Sequence, residues 1–501
     1  MRRRNHARFR AQGKVSVMRD ILQRALAIAE QLGASYADAR YMERATESIA
    51  VKNGVVDGIT SGVSQGINIR VLVNDAWGFA SSSIVAMPEA DVIAQRAVAI
   101  AKASALSAGK PAVLSPLEKQ VGKFSTPMAK DPFLVPLNEK VDLLLRADAA
   151  MRSVKGIAVT TGNIEYGRES KIFVSSEGSD VEQVLVDCGA AITAYAVDEQ
   201  SGELQQRSYP NSFGRQAGAT GYEIIEAMDL VGHAPKIAEE AVQLLTAKQL
   251  EPGVTTIILD GPQTAIQIHE SCGHPIELDR VLGMEAGFVG KSFLTTDKLN
   301  NFTYGSEFVN IVADATTPGG LGTFGWDDEG VPAQRTNIVT NGRFTGYLMS
   351  RDTAPDLGLS SNGCVRADNW NRLPMIRMTN VSLLPGTWKL EDLIADTEDG
   401  IYLSVNRSWS IDNLRLNFQF ATEVGWEIKN GKLGAMIKNP TYTGITPEFW
   451  RSCDAVCNAD YWTVWGTPNC GKGEPMQTMR TGHGAAPSRF RNVRVGVSAL
   501  K

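Results

Sequence analysis

Residues 254–275 read VTTIILDGPQTAIQIHESCGHP. The first six form a short apolar run rich in β-branched side chains, which predicts a strand. Gln263–Gly273 then reads as a short helix, stopped by Gly273 and by Pro275, which disfavours helical dihedrals at His274. Glu251-Pro252-Gly253 sits just before the strand and closes what precedes it. This strand and helix divide the chain into two halves of different pattern.

Upstream, helices and hairpins alternate. Arg19–Leu32 places Ile21, Leu22, Ala25, Ile28, Ala29 and Leu32 on one helical face, with Gly33 as the stop. Ser48–Val51 and Val55–Ile59 flank Asn53-Gly54, the strongest short hairpin signal. Ile67, Ile69, Val71 and Val73 alternate with Asn68, Arg70 and Leu72, predicting a strand with one buried face. A second helix starts near Pro88 and passes Ala101. Five of the 21 prolines fall between Pro111 and Pro136, which predicts a linker or surface crossover. Then the order recurs: a helix over Asn138–Met151, and strands around Ile172–Ser175 and Val181–Tyr195. Segments 48–83 and 170–212 are weakly alike, which points to an internal duplication. A further helix spans Pro235–Leu245.

Downstream the pattern is β-rich. Asn341-Gly342 and Asn430-Gly431 are turns between alternating runs, and eight of the nine tryptophans lie at or after Trp326, the mark of a large β core. The predicted fold class is α+β. Residues 1–17 are expected to be a disordered arm or an overextended start, 18–250 a mixed α/β domain with long helices and antiparallel hairpins, and 251–501 a β-rich domain carrying the His269 helix.

Composition narrows the function. Of 501 residues, 43% are hydrophobic and 21% charged, which is a globular balance. The net charge of −5 argues against a protein that grips nucleic acid by its phosphates. No run approaches the ~18 apolar residues of a membrane span. The basic N-terminal segment, with Arg2, Arg3, Arg4, Arg8 and Arg10, has no apolar stretch behind it and is not a secretory signal. Six cysteines at this length are ordinary usage rather than a disulfide framework, so a reduced, cytoplasmic protein is expected.

Histidine is scarce, with five in the chain, and two of them form His269-Glu270-x-x-x-His274. Zinc-protease helices space their histidines by four, on one face. A spacing of five turns the second histidine about 140° away on a straight helix. The breakers at Gly273 and Pro275, or a one-residue π-bulge, would swing His274 back. A shared metal then becomes feasible, with Glu270 placed to accept a proton from water during attack on a carbonyl. A catalytic zinc needs a third protein ligand. Cys272, Glu277, Asp279, Cys470 and His483 are all of usable type, and spacing does not separate them. Cys453 and Cys457 form a C-x-x-x-C pair without a second pair, a weak basis for a structural zinc.

The chain resembles the TldD/PmbA metalloproteases in HESCGHPIELDR (269–280), GMEAGFVGKSF (283–293), FGWDDEGVPA (324–333), NGRFTGYL (341–348), RLPMIRMTN (372–380) and NCGKG (469–473). GASYADAR (33–40) and NGVVDGITSGVSQGINIRV (53–71) extend the likeness towards the N-terminus. The resemblance implies a cytoplasmic zinc peptidase of the TldD type, which keeps the histidines that PmbA-type partner subunits lack. It implies that His269, His274 and Cys470 hold Zn2+ and that Glu270 is the catalytic base. It also implies a dimer, either with itself or with a PmbA-like subunit, enclosing the site and taking unfolded or extended peptides by strand addition. His483 reverts to a loop residue, and Glu277 to a support for a ligand histidine. Asp327-Asp328-Glu329 could meet a peptide's amino terminus, although a solvated turn is the plainer expectation. Two other functions stay open: a non-enzymatic interaction protein, since relatives have carried the label of DNA gyrase modulators, and hydrolysis of another amide substrate.

Overall fold

The computed structural model describes residues 2–107, 109–212, 214–285 and 290–496, with side chains from Val15 onward. Residues 286–289, within the 283–293 motif, lie outside the described residues.

Helix α1 (Arg2–Gln31) buries Ile21, Leu22, Ala25, Leu26 and Ala29. It takes in residues 2–17. The hairpin β1 (Tyr36–Lys52) and β2 (Val55–Val73) turns at Asn53-Gly54, whose φ values of +49° and +82° are both positive, as a two-residue type I′ turn requires. β3 (Ala76–Ser82) and α2 (Met87–Ala105) follow. The proline-rich crossover carries a short strand, β4 (Val121–Ser125), which lies parallel to a later strand. The order then repeats with α3 (Leu137–Arg152), β5 (Ile157–Ser175), β6 (Asp180–Val197), β7 (Leu204–Tyr209), β8 (Gln216–Gly218), α4 (Glu223–Met228) and α5 (Leu230–Thr246). α5 starts five residues before Pro235 because Asp229 caps it, accepting from the Gly232 amide.

All eight strands form one sheet, in the order β3-β2-β1-β5-β6-β4 with β7 and β8 on β6. Ala37, Ala39 and Tyr41 of β1 join a core with α1 and α2. Ile49 and Val51, on the same face of β1, join a second core with α3 and α5. The helices therefore cover one face.

The other face does not meet solvent. Asn68, Arg70 and Leu72 were expected to be the exposed side of β2, yet all three are buried. They sit with Asp38, Arg40, Glu169 and Lys171 in an ionic layer that docks on the second half of the chain. Arg70 reaches Asp38 at 2.7 Å and Glu329 at 3.0 Å. Arg40 and Lys171 reach Asp328 at 3.2 and 3.0 Å. Asp327 accepts hydrogen bonds from the amides of Glu329, Val331 and Val365. Asp327-Asp328-Glu329 is thus neither a solvated turn nor a free acidic patch for an amino terminus. Asp328 and Glu329 are occupied in joining the halves, and Asp327 is tied to amides of its own half. Arg70→Ala should destabilise the chain by about 3–5 kcal/mol, since it leaves two carboxylates buried and unpaired. A denaturant midpoint within error of wild type would contradict this.

The short β9 (Lys248–Gln249) pairs into a second sheet, which β10 (Gly253–Leu259) also joins. β10, the strand 399–411, and the strands 417–429, 441–445 and 488–495 pair in a closed ring. Helix α6 (Gly261–Ile268) leaves β10 and is buried at every residue. Asp260 caps it, accepting from the Gln263 amide at 2.8 Å. A hairpin of 463–472 and 477–485 packs against α6. Among the described residues, no helix is long and apolar enough to cross a membrane.

Candidate metal centre

α6 does not stop at Ile268. It continues as a π-turn over His269–Gly273, in which the His274 amide donates to the His269 carbonyl five residues back, at 3.2 Å. The extra residue in the turn offsets the five-residue spacing and brings the two imidazoles to 4.9 Å between centroids. Gly273 lets Met378 pack closely on this turn, because a Cβ there would lie 2.0 Å from Met378 Sδ.

Cys470 arrives from the hairpin. The pairing of its strands shifts register between Thr467 and Cys470, a bulge that re-aims the side chain. One ligand atom each from His269, His274 and Cys470 lies within 4.8 Å of the others, and all three residues are buried. Cys470 Sγ is 3.7 Å from His274 Nε2. A tetrahedral zinc with its usual N and S bond lengths sets that separation at about 3.6 Å, so the donors fit the ion.

The hydrogen-bond network assigns the tautomers. His274 Nδ1–H donates to Glu277 at 3.0 Å, leaving Nε2 as the metal-facing lone pair. His483 Nδ1–H donates to the Val381 carbonyl at 2.8 Å, so His483 Nε2 accepts His269 Nδ1–H at 2.7 Å. His269 Nε2 is thereby left for a metal. Burial holds all three imidazoles below their ordinary pKa, and His269 further lowers both His274 and His483. Burial alone would push the Cys470 thiol up, but Arg377 and His274 outweigh it and hold the thiol below its ordinary value. Two neutral imidazoles and a thiol inclined to ionise are the donor set zinc prefers.

The remaining candidates stand behind the ligands or away from them. Asp279 pairs with the buried Lys472 at 2.7 Å, tying the Cys470 strand to the His274 segment. Cys272 sits in the apolar core, where burial pushes its thiol up to about 12. Cys453 and Cys457 belong to the core and to no metal-type group among the described residues. His483 is the residue that sequence reasoning set aside. It lies in a strand rather than a loop, and its signal was only that a rare histidine stands in a buried hairpin. His483→Phe removes the acceptor for His269 Nδ1–H and should weaken zinc binding by about 10–100-fold, with His483→Gln milder. Competition against a chromogenic chelator reads this directly, and equal affinities in all three proteins would refute it.

Glu270 pairs with Arg415, whose Nη1 lies 2.5 Å from its Oε2. The three donors form a buried group that could hold one metal ion, and Glu270 follows His269 in the chain.

Comparison with known proteins agrees. The chain matches the PmbA/TldA metallopeptidase domain 1 over residues 37–101, the central domain over 130–249 and the C-terminal domain over 252–496. It is 31% identical to a metalloprotease of Methanocaldococcus jannaschii, over 84% of this chain and 89% of that protein. It is 23% identical to the zinc metalloprotease TldD homolog of Saccharolobus solfataricus, over 93% and 98% of the two chains. TldE from Thermococcus kodakarensis shares the fold, with TM-score 0.71 and 16% identity over 95% of this chain and all of that one. So does a Thermotoga maritima protein described as a candidate modulator of a DNA gyrase, with TM-score 0.74 and 18% identity over 95% of this chain and 100% of that one. The chain belongs to the PmbA/TldD metallopeptidase family.

Proposed function

We propose that this protein is a zinc-dependent peptidase that hydrolyses extended or unfolded peptides. The observation that carries the reading is the convergence of His269, His274 and Cys470 within 4.8 Å, with the Glu270 carboxylate on the adjoining residue. These three residues would hold the ion. Zinc bound there supplies Lewis acidity, which polarises a peptide carbonyl and makes a water molecule easier to deprotonate. Glu277 and His483 keep both imidazoles in the tautomer that binds. Glu270 takes the proton from the attacking water and delivers it to the leaving amide nitrogen.

The substrate approaches from the side of Glu270 and Arg415, since the Arg415 side chain keeps 16% of its surface exposed while Arg280 and the clamp residue Lys472 keep none. An extended peptide would dock by adding to a strand edge. A homodimer, or a heterodimer with a PmbA-like subunit, is the assembly this reading favours; the fold shared with TldE supports it. Six unpaired, buried cysteines suit a reducing cytoplasm. Metal analysis joined to cleavage of an unstructured peptide library, with and without chelator, tests the whole reading. It fails if purified protein holds no stoichiometric zinc, or if stripping the zinc leaves cleavage unchanged.

A further inference from the structure

Arg415 occupies the turn between the strands 399–411 and 417–429. Its φ is +64°, a left-handed conformation that a long side chain rarely adopts. The turn is fastened around it. The Asp412 carboxylate accepts from the amides of Leu416 and Asn417, at 2.8 and 3.1 Å. The Arg415 amide donates to the Asp412 carbonyl at 2.9 Å, and Thr446 Oγ1 donates to the Arg415 carbonyl at 2.8 Å. Backbone strain held this firmly by its surroundings is characteristic of functional positions.

The strain aims the guanidinium at Glu270, but the pair does not use it up. Arg415 Nε is buried and has no hydrogen-bond partner among the described residues. The other cations in this region are fully buried, although Arg377 Nε is likewise unfilled. Arg377 is fully buried and donates to the carbonyls of Cys470 and Gln477. Lys472, also fully buried, is held by Asp279 and the Ile376 carbonyl. Arg415 combines contact with the carboxylate, an unfilled N–H and partial exposure.

We propose that Arg415 is a substrate-contacting catalytic residue: its guanidinium spans Glu270 and the oxygen of the scissile carbonyl and stabilises the oxyanion. The inference rests on the peptidase reading above. In the step it serves, the water oxygen forms a bond to the carbonyl carbon and the carbonyl π pair moves onto oxygen, facing Arg415. The water proton passes to Glu270 and then to the amide nitrogen. The C–N bond breaks with its electron pair going to nitrogen, giving a carboxylic acid and an amine. A fixed cation at the developing negative charge lowers the barrier without reorganising during the reaction.

The test uses the full zinc-loaded chain and two variants. Arg415→Gly suits the positive φ, so its backbone is not strained, and Arg415→Lys keeps the charge. Zinc content, kcat and KM on an unstructured fluorogenic peptide, and calorimetric affinity for a phosphinic peptide that mimics the tetrahedral anion are measured for each. The expected result is full zinc in both variants, with Arg415→Gly losing about 10²–10³-fold in kcat and KM moving less than threefold. Phosphinate affinity should fall with kcat, Arg415→Lys should lie between, and added guanidinium ion should restore part of the rate to Arg415→Gly. Loss of zinc from both variants would make Arg415 a structural residue and overturn the proposal. So would unchanged phosphinate affinity, or a rate loss that vanishes at alkaline pH, since the arginine would then act only through the charge of Glu270. A wild-type protein that holds zinc and cleaves peptide beside an equally active Arg415→Gly defeats this inference alone. A wild type that cleaves nothing defeats the peptidase reading and the inference with it.

Discussion

Glu270→Gln is expected to retain stoichiometric zinc and to lose peptide cleavage by about 10²–10⁴-fold, the range typical of removing a positioned general base. Glutamine matches the shape of the carboxylate, so the π-turn and both imidazoles keep their positions. What disappears is the proton acceptor beside the ligands, and with it the ion pair to Arg415. At 1.36 kcal/mol per tenfold, the loss amounts to about 3–5 kcal/mol of barrier. Zinc per chain by emission spectroscopy, together with initial rates on a fluorogenic peptide, reads both halves of the expectation. A variant that cleaves within threefold of wild type would remove Glu270 from the mechanism.

The second large effect falls on the metal itself. Small zinc domains gain about 10–16 kcal/mol from four ligands, so one ligand is worth about 3–4 kcal/mol. Cys470→Ala should accordingly weaken zinc binding by about 10²–10³-fold. The surrounding frame should survive, because Arg377 grips the Cys470 carbonyl rather than its sulfur, and Lys472 still clamps Asp279. Competition with a chelator of known affinity measures the change. Unchanged zinc affinity would assign the third ligand to another residue.

Local signals were legible in the sequence. The Asn-Gly hairpins, the amphipathic helices and the breakers at Gly273 and Pro275 each act within a few residues, and each appears in the structure, with α1 and α5 beginning earlier than the pattern placed them. The π-turn was one of two routes the spacing allowed. Long-range partners were not legible. Cys470 meets His274 across 196 positions, and only the family resemblance singled it out. His483 was passed over because a lone histidine between two glycines carries no sign that another histidine needs an acceptor. Asp327-Asp328-Glu329 was misread for the same reason. An acidic run looks solvated until Arg70, 259 positions away, and Lys171, 157 positions away, are brought against it. The alternation in β2 was correctly periodic, but it could not reveal that the second half of the chain covers the polar face.

The five-residue bond at His269–His274 also has a meaning for how such motifs are found. A π-turn is how a helix absorbs one inserted residue while the elements on either side keep their places. A histidine pair spaced by five, with its rings edge to face at 4.9 Å between centroids, is geometrically a pair spaced by four plus one accommodated residue. Sequence searches built on the four-residue spacing pass over such a chain. A candidate metal site can then escape a spacing-based search while its donors still lie within reach of one ion.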